Sequence, residues 1–146
     1  MVLPLTAGMA KVASVWVTAL VLCAETSGLE TEARAVGQVV LNRVLDGGYP
    51  DTIAGVVLQR RQFARPGQCG RGWLRAHHWR TASRMHARPG HRIPSWRFVQ
   101  RDVLGFMTLK AWRRLRRRWK RRGWEVAGVS KMPDRRRVHV FLRKRR

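Results

Sequence analysis

The chain has 146 residues, enough for one domain with a real core. Its net charge of +23 is unevenly placed: through residue 60 four basic side chains meet five acids, and beyond it 27 basic residues meet three. Two cysteines are too few for a structural zinc site, and Gly67, Gly70 and Gly72 precede neither a Lys-Ser/Thr pair nor a helix start, which sets aside metal-centre and phosphate-loop chemistry.

Met1 to Lys11 is a short leader with Pro4, Gly8 and one Lys. Val12 to Ala24 then runs without a charge. That is shorter than the roughly 20 apolar residues of a membrane span but matches the apolar core of a signal peptide. A weak basic start, and a cleavage point that would fall beside Glu25, favour a buried helix instead. Cys23 follows Leu22, which is not a small residue, so no lipoprotein signal is present. Glu25 is the first acid of the chain and stands where such a helix would emerge into a turn. A carboxyl held against apolar neighbours resists ionisation and can serve as a proton donor. A Glu before Thr26-Ser27-Gly28 also fits an ordinary exposed helix end.

Leu29 to about Leu45 reads as an amphipathic helix, with Ala33, Val36, Gly37, Val40 and Val44 at helical spacing and Thr26 or Ser27 as N-cap. Glu30 and Glu32 fall in its first turn, where acids suit the helix dipole. Asn42 and Arg43 are expected to tie its far end to neighbouring chain. Asp46-Gly47-Gly48 ends it, Tyr49-Pro50 turns, and Asp51 or Thr52 caps a short helix from Ile53 to Leu58.

From Arg65 to Gly123 the chain is dense in Arg, Trp, His, Gly and Pro, and one periodic stretch stands out. Val99 to Trp119 predicts a helix with Val103, Phe106, Met107, Lys110, Trp112, Leu115 and Trp119 sharing much of one face beside Arg113, Arg114, Arg116, Arg117 and Arg118. The alternation of Val138 to Leu142 suits a strand. Cys23 and Cys69 can form one disulfide in an oxidising compartment, although the placement of Cys23 in a buried helix speaks against it.

Several of these segments together carry a resemblance. Leu20-Val21-Leu22-Cys23-Ala24-Glu25-Thr26-Ser27-Gly28, Glu32, Ala35 to Val44 with its Val-Leu-Asn-Arg-Val ending, Tyr49-Pro50, Thr52-Ile53-Ala54-Gly55-Val56-Val57 and Gln62-Phe63 resemble the SleB-type cell wall hydrolases. Those are bacterial and phage enzymes that cut peptidoglycan glycan strands. Trp124 and Val138 to Leu142 are similar to the family's closing Trp and final His-x-Phe strand. The chain departs from the pattern at Ser27, where the family has an Arg, and its loop to Asn42 is one residue short. A Gly-Ala-Thr-His-Tyr-type groove motif is also missing, and His77, His78, His86 and His91 do not replace it.

The resemblance implies a mainly helical α+β fold, a lysozyme-like or lytic-transglycosylase-like single domain, with no cofactor and no metal. Residues 1–64 would form its N-terminal part and 124–146 a closing strand with a basic tail. For residues 65–123 three explanations stand: a functional basic arm, a divergent wall-binding lobe, or GC-rich DNA read out of frame. Glu25 takes the place of the family's catalytic acid, and Gln62 and Phe63 are candidate substrate-binding residues. A single Glu suffices for a lytic transglycosylase, whereas a hydrolase needs a second carboxylate, for which Glu30 and Glu32 are the nearby candidates. The partner implied is peptidoglycan, met by a monomer in the cell envelope or outside the cell. The contrasting expectation is an inactive relative whose basic half binds nucleic acid or an anionic surface, its Trp rings stacking on bases.

Overall fold

A computed structural model describes residues 7–26, 28–130 and 138–145. The candidate N-cap Ser27 lies outside the described residues.

Helix α1 spans Ala7–Glu25. By length and composition it is long and apolar enough to cross a membrane, with about a third of its most apolar window buried. The expected buried helix is therefore corrected: only the second half, from Thr18 to Ala24, is inside, while Met9, Val12 and Trp16 stand exposed. Trp16 meets Trp79 with ring centroids 4.7 Å apart, and the Thr18 hydroxyl lies 2.9 Å from His86 Nε2.

Helix α2, Glu30–Asp46, is the central element, buried almost continuously from Glu32 to Arg43. Its N-cap is Leu29, which offers no side-chain acceptor, so the expected cap at Thr26 is not made. Gly47 ends the helix in the left-handed region at φ 77°, a conformation glycine adopts without strain. Helix α3, Ile53–Val57, has the expected cap: Thr52 accepts from the Gly55 N–H and turns Ile53, Val56 and Val57 inward.

The next helix was not anticipated. Helix α4, Ala76–Ala87, buries His78, Thr81, Ala82 and Met85, a helical spacing carried by weakly apolar side chains. It crosses α2 at Gly37, where an added Cβ would lie 3.0 Å from Met85 Sδ.

The helix expected over Val99 to Trp119 is corrected to a strand followed by a helix. Val103–Thr108 forms β1, and Leu109–Arg121 forms α5, capped by Thr108 accepting from the Ala111 N–H. The run Val-Leu-Gly-Phe-Met is apolar enough for either state. Pairing with the far end of the chain decides for the strand, an interaction outside any local window. Strands β2, Trp124–Val129, and β3, His139–Lys144, complete an antiparallel sheet in the order β1-β3-β2.

The sheet separates two apolar layers. Phe141 and Val103 pack with α1, α2, α3 and α4, together with Ile93 and Val99. On the other side Val140, Leu142 and Leu104 pack with Trp112 of α5 and Trp124. The fold is thus mainly helical α+β, with the carboxyl-terminal end of α1 lying on the first side.

Candidate active site

Glu25 is the last residue of α1 and is half-buried. The backbone N–H of Ala64 donates to its Oε1. The segment following α3 therefore closes over the end of α1, and Phe63 precedes that anchoring amide.

A buried arginine stands in the same neighbourhood. Arg43, in the last turn of α2, is 6% exposed; its Nε donates to the Leu104 carbonyl at 2.6 Å and its Nη1 to Gln62 Oε1 at 3.3 Å. The guanidinium carbon lies 4.9 Å from the ring centres of both Tyr49 and Phe63, a cation–π sandwich. Burial pushes Arg43 down from its ordinary pKa, opposed by the charges of Tyr49 and Glu25. It remains a cation, since guanidinium does not lose its proton in proteins. Burial pushes the Tyr49 phenol up, with Arg43 acting against that rise. Phe63 continues onto Phe106 of β1 at 5.8 Å. Arg43 thus brings Gln62, Phe63 and Tyr49 into one cluster beside Glu25.

The polar residues of α2 explain why this end of the helix is fixed. Gln38 Nε2 donates to Asn42 Oδ1 at 2.8 Å, and Gln38 Oε1 accepts from the Ile93 N–H at 2.6 Å. Asn42 Nδ2 donates to the carbonyls of Gln100 at 2.7 Å and Val103 at 2.8 Å. The buried polar groups of Gln38 and Asn42 are thus matched to one another and to backbone, as burial requires. The expectation that Asn42 and Arg43 tie the helix end to neighbouring chain holds, and the tie is to the start of β1.

Glu30 and Glu32 are not alike. Glu30 is at the surface, 2.8 Å from Arg34 Nη2 and 3.4 Å from Arg80 Nη2, and these cations hold its carboxyl below the usual range against a burial effect of opposite sign. Glu32 is fully buried and pairs with His139 Nδ1 of β3. The backbone of His139 is fixed in turn, donating to Ser130 Oγ at 2.7 Å. No local pattern marks this pair, because its members are 107 residues apart.

Two further features brace the Glu25 turn. His78 Nδ1 accepts from the Arg75 N–H at 2.9 Å, so Nε2 carries the ring proton and donates to Thr26 Oγ1 at 3.1 Å. The Thr26 hydroxyl donates onward to the Leu22 carbonyl at 2.7 Å. Burial, and then the charges of His77 and Arg75, push His78 down to about 4. The second brace corrects an expectation: Cys23 and Cys69 form a disulfide, S–S 2.02 Å. Burial of Cys23 does not prevent it, because the segment leading to Cys69 packs against α1.

A cavity of about 430 Å³ opens along the same segment, lined by Phe63, Ala64, Arg60, Arg61, Arg65 and neighbours. Glu25 is not in its wall; Ala64 is the residue common to the cavity and the carboxyl contact. Among the described residues no cluster of His, Cys, Asp or Glu has the makings of a metal site.

No curated protein and no solved structure matches the chain. A family model described as Cell Wall Hydrolase matches residues 30–105, just over half of the chain. The match begins five residues after Glu25 and runs through α2, α3, α4 and the first residues of β1, taking in Arg43, Gln62, Phe63 and the polar ladder of α2. The chain therefore belongs to the cell wall hydrolase family, whose substrate is peptidoglycan.

Proposed function

We propose that the protein cleaves glycan strands between N-acetylmuramic acid and N-acetylglucosamine as a lytic transglycosylase, with Glu25 as its acid and base. The observation that carries this is the seating of Glu25 at the end of α1, held by the Ala64 N–H beside the Arg43, Tyr49 and Phe63 cluster. Gln62 is exposed and Phe63 half-buried, so both can meet a sugar at that rim.

In the first half of the reaction Glu25 gives its proton to the glycosidic oxygen as the C1–O bond breaks through an oxocarbenium-like state. In the second half the Glu25 carboxylate takes the proton of the muramic acid 6-hydroxyl. That oxygen then bonds C1 and closes a 1,6-anhydro ring, so the proton lost by Glu25 is returned and no water is consumed. A hydrolase would need a second carboxylate to activate water. Glu32 is sealed with His139, and Glu30 is engaged by two arginines, which favours the one-carboxylate route.

Mass spectrometry of muropeptides released from purified peptidoglycan tests this, with Glu25→Gln run in parallel. Anhydro-muramic ends from the wild type alone are expected. Reducing ends would replace the transglycosylase with a hydrolase, and equal release by Glu25→Gln would remove Glu25 from the chemistry.

A further inference from the structure

Helix α5 carries eight Lys and Arg side chains between Lys110 and Arg121, all exposed, and no acid. The ion pairs among the described residues all lie elsewhere, around Glu30, Glu32, Glu125 and Asp102. The charge is therefore concentrated and uncompensated along a helix roughly 20 Å long, at about 1.5 Å per residue. Six of the eight are arginines, whose planar fork matches phosphate oxygens better than a lysine ammonium does.

The opposite face of α5 narrows what the helix can hold. Its largest apolar side chains are already used: Trp112 is buried against Leu104, Val140, Leu142 and Trp124, with Leu109 and Trp119 packed on the same cluster. That leaves Ala111 and Leu115, both half-buried, for the acyl region of a membrane, where an interfacial helix needs a broad apolar face. For bases to stack on, α5 offers only Trp119, half-buried and already engaged at 80° with Trp124 at 5.5 Å. What remains is a rigid row of guanidinium groups suited to a flexible chain of phosphates that carries no bases.

We propose that the outer face of α5 holds a linear polyol-phosphate polymer of the cell wall, which keeps the enzyme on the wall while another part of the molecule meets the glycan. The choice of a wall polymer rests on membership of the cell wall hydrolase family. The sheet lies between α5 and the layer containing α1, so such a polymer does not occupy the Glu25 surface.

The test uses the full chain carrying Glu25→Gln, so that binding is read without cleavage. Its affinities for poly(glycerol phosphate), for oligo(dT) of equal phosphate number and for phosphatidylglycerol vesicles are measured from 50 to 200 mM salt. Tight binding of poly(glycerol phosphate) is expected, with a log–log salt slope of about −0.7 per phosphate engaged. Four engaged phosphates would cost about fifty-fold over that range. Replacing Arg113, Arg114, Arg116 and Arg117 by Gln should weaken binding at least tenfold and flatten the slope. The charge-matched set Arg71, Arg84, Arg88 and Arg97 to Gln should stay within about threefold. Circular dichroism checks that α5 survives; if it does not, the pairs Arg113/Arg117→Gln and Arg114/Arg118→Gln are each expected to reduce the slope by about 1.4. Equal losses in the two quadruple variants, oligo(dT) bound tenfold more tightly than the polyol phosphate, or binding to vesicles alone would each overturn the proposal. None of these outcomes bears on Glu25, which is judged by muropeptide release from wall stripped of polyol phosphate.

Discussion

Cys23 and Cys69 are joined two residues before Glu25 and five after Ala64, so one covalent link spans the two segments whose contact seats the carboxyl. The disulfide closes a loop with a sequence separation of 46, for which the chain-entropy account gives about 4 kcal/mol. Cys69→Ser, or reduction with dithiothreitol, should lower the melting temperature by on the order of 10 °C. It should also reduce muropeptide release at temperatures where the protein is still folded. An unchanged melting temperature on reduction would show that the bridge adds no stability.

His78 sets a pH dependence. Its folded value, about 4, lies below the ordinary 6.5, so between these values the unfolded chain binds more protons than the folded one. Stability therefore rises with pH from about 4 to 6.5, and acidification through that window costs roughly 3 kcal/mol at this buried site. Urea unfolding at pH 4.5, 5.5 and 7 should show this loss in the wild type. In His78→Gln, which keeps an N–H for Thr26, the loss should be smaller by most of that amount. Parallel curves for the two proteins would contradict the assignment.

Glu32 and His139 should behave as a unit. Removing one member of a buried, hydrogen-bonded acid–imidazole pair deprives the other of that bond, which costs about 1–3 kcal/mol and more where a charge is involved. Glu32→Ala and His139→Ala are each expected to destabilise by about 3 kcal/mol, and the double variant by clearly less than the sum. Additive losses in chemical denaturation would mean that the two side chains do not couple.

Gly128 is a steric requirement. A Cβ there would lie within the ring of Phe98, which packs on Phe141 at 5.7 Å and on Trp96 at 5.8 Å. Gly128→Ala should cost about 1–3 kcal/mol by displacing that aromatic group. A melting temperature equal to that of the wild type would show that the ring can move at no cost.

Segments whose apolar pattern is strong were legible. The Val-Leu-Asn-Arg-Val end of α2, the Thr52 cap and the β3 alternation all stand where the sequence puts them, because each is set by neighbours within a few residues. Helix α4 was missed because its inward positions are His78, Thr81, Ala82 and Met85, the right spacing written in side chains with little hydrophobic contrast. Strand β1 was mistaken for helix because its state depends on β3, more than 30 residues later. At the site, Gln62 and Phe63 were expected from the family pattern. The role of Arg43 as the cation joining them was not: a tie to neighbouring chain was expected of it, but Tyr49, Gln62 and Phe63 meet it only in the folded chain. The pairings Cys23–Cys69 and Glu32–His139 are long-range, and neither spacing nor periodicity encodes them.

The join between Glu32 and His139 also governs when the molecule can form. The central helix of the core is made well before β3, and its buried acid meets its imidazole only after 107 further residues have been added. Phe141, fully buried in the same layer, arrives equally late. Such long-range closure slows folding relative to a fold built of local contacts. The nascent core thus stays incomplete until β3 emerges, and a chain ending before His139 leaves both the helix and the sheet unfinished.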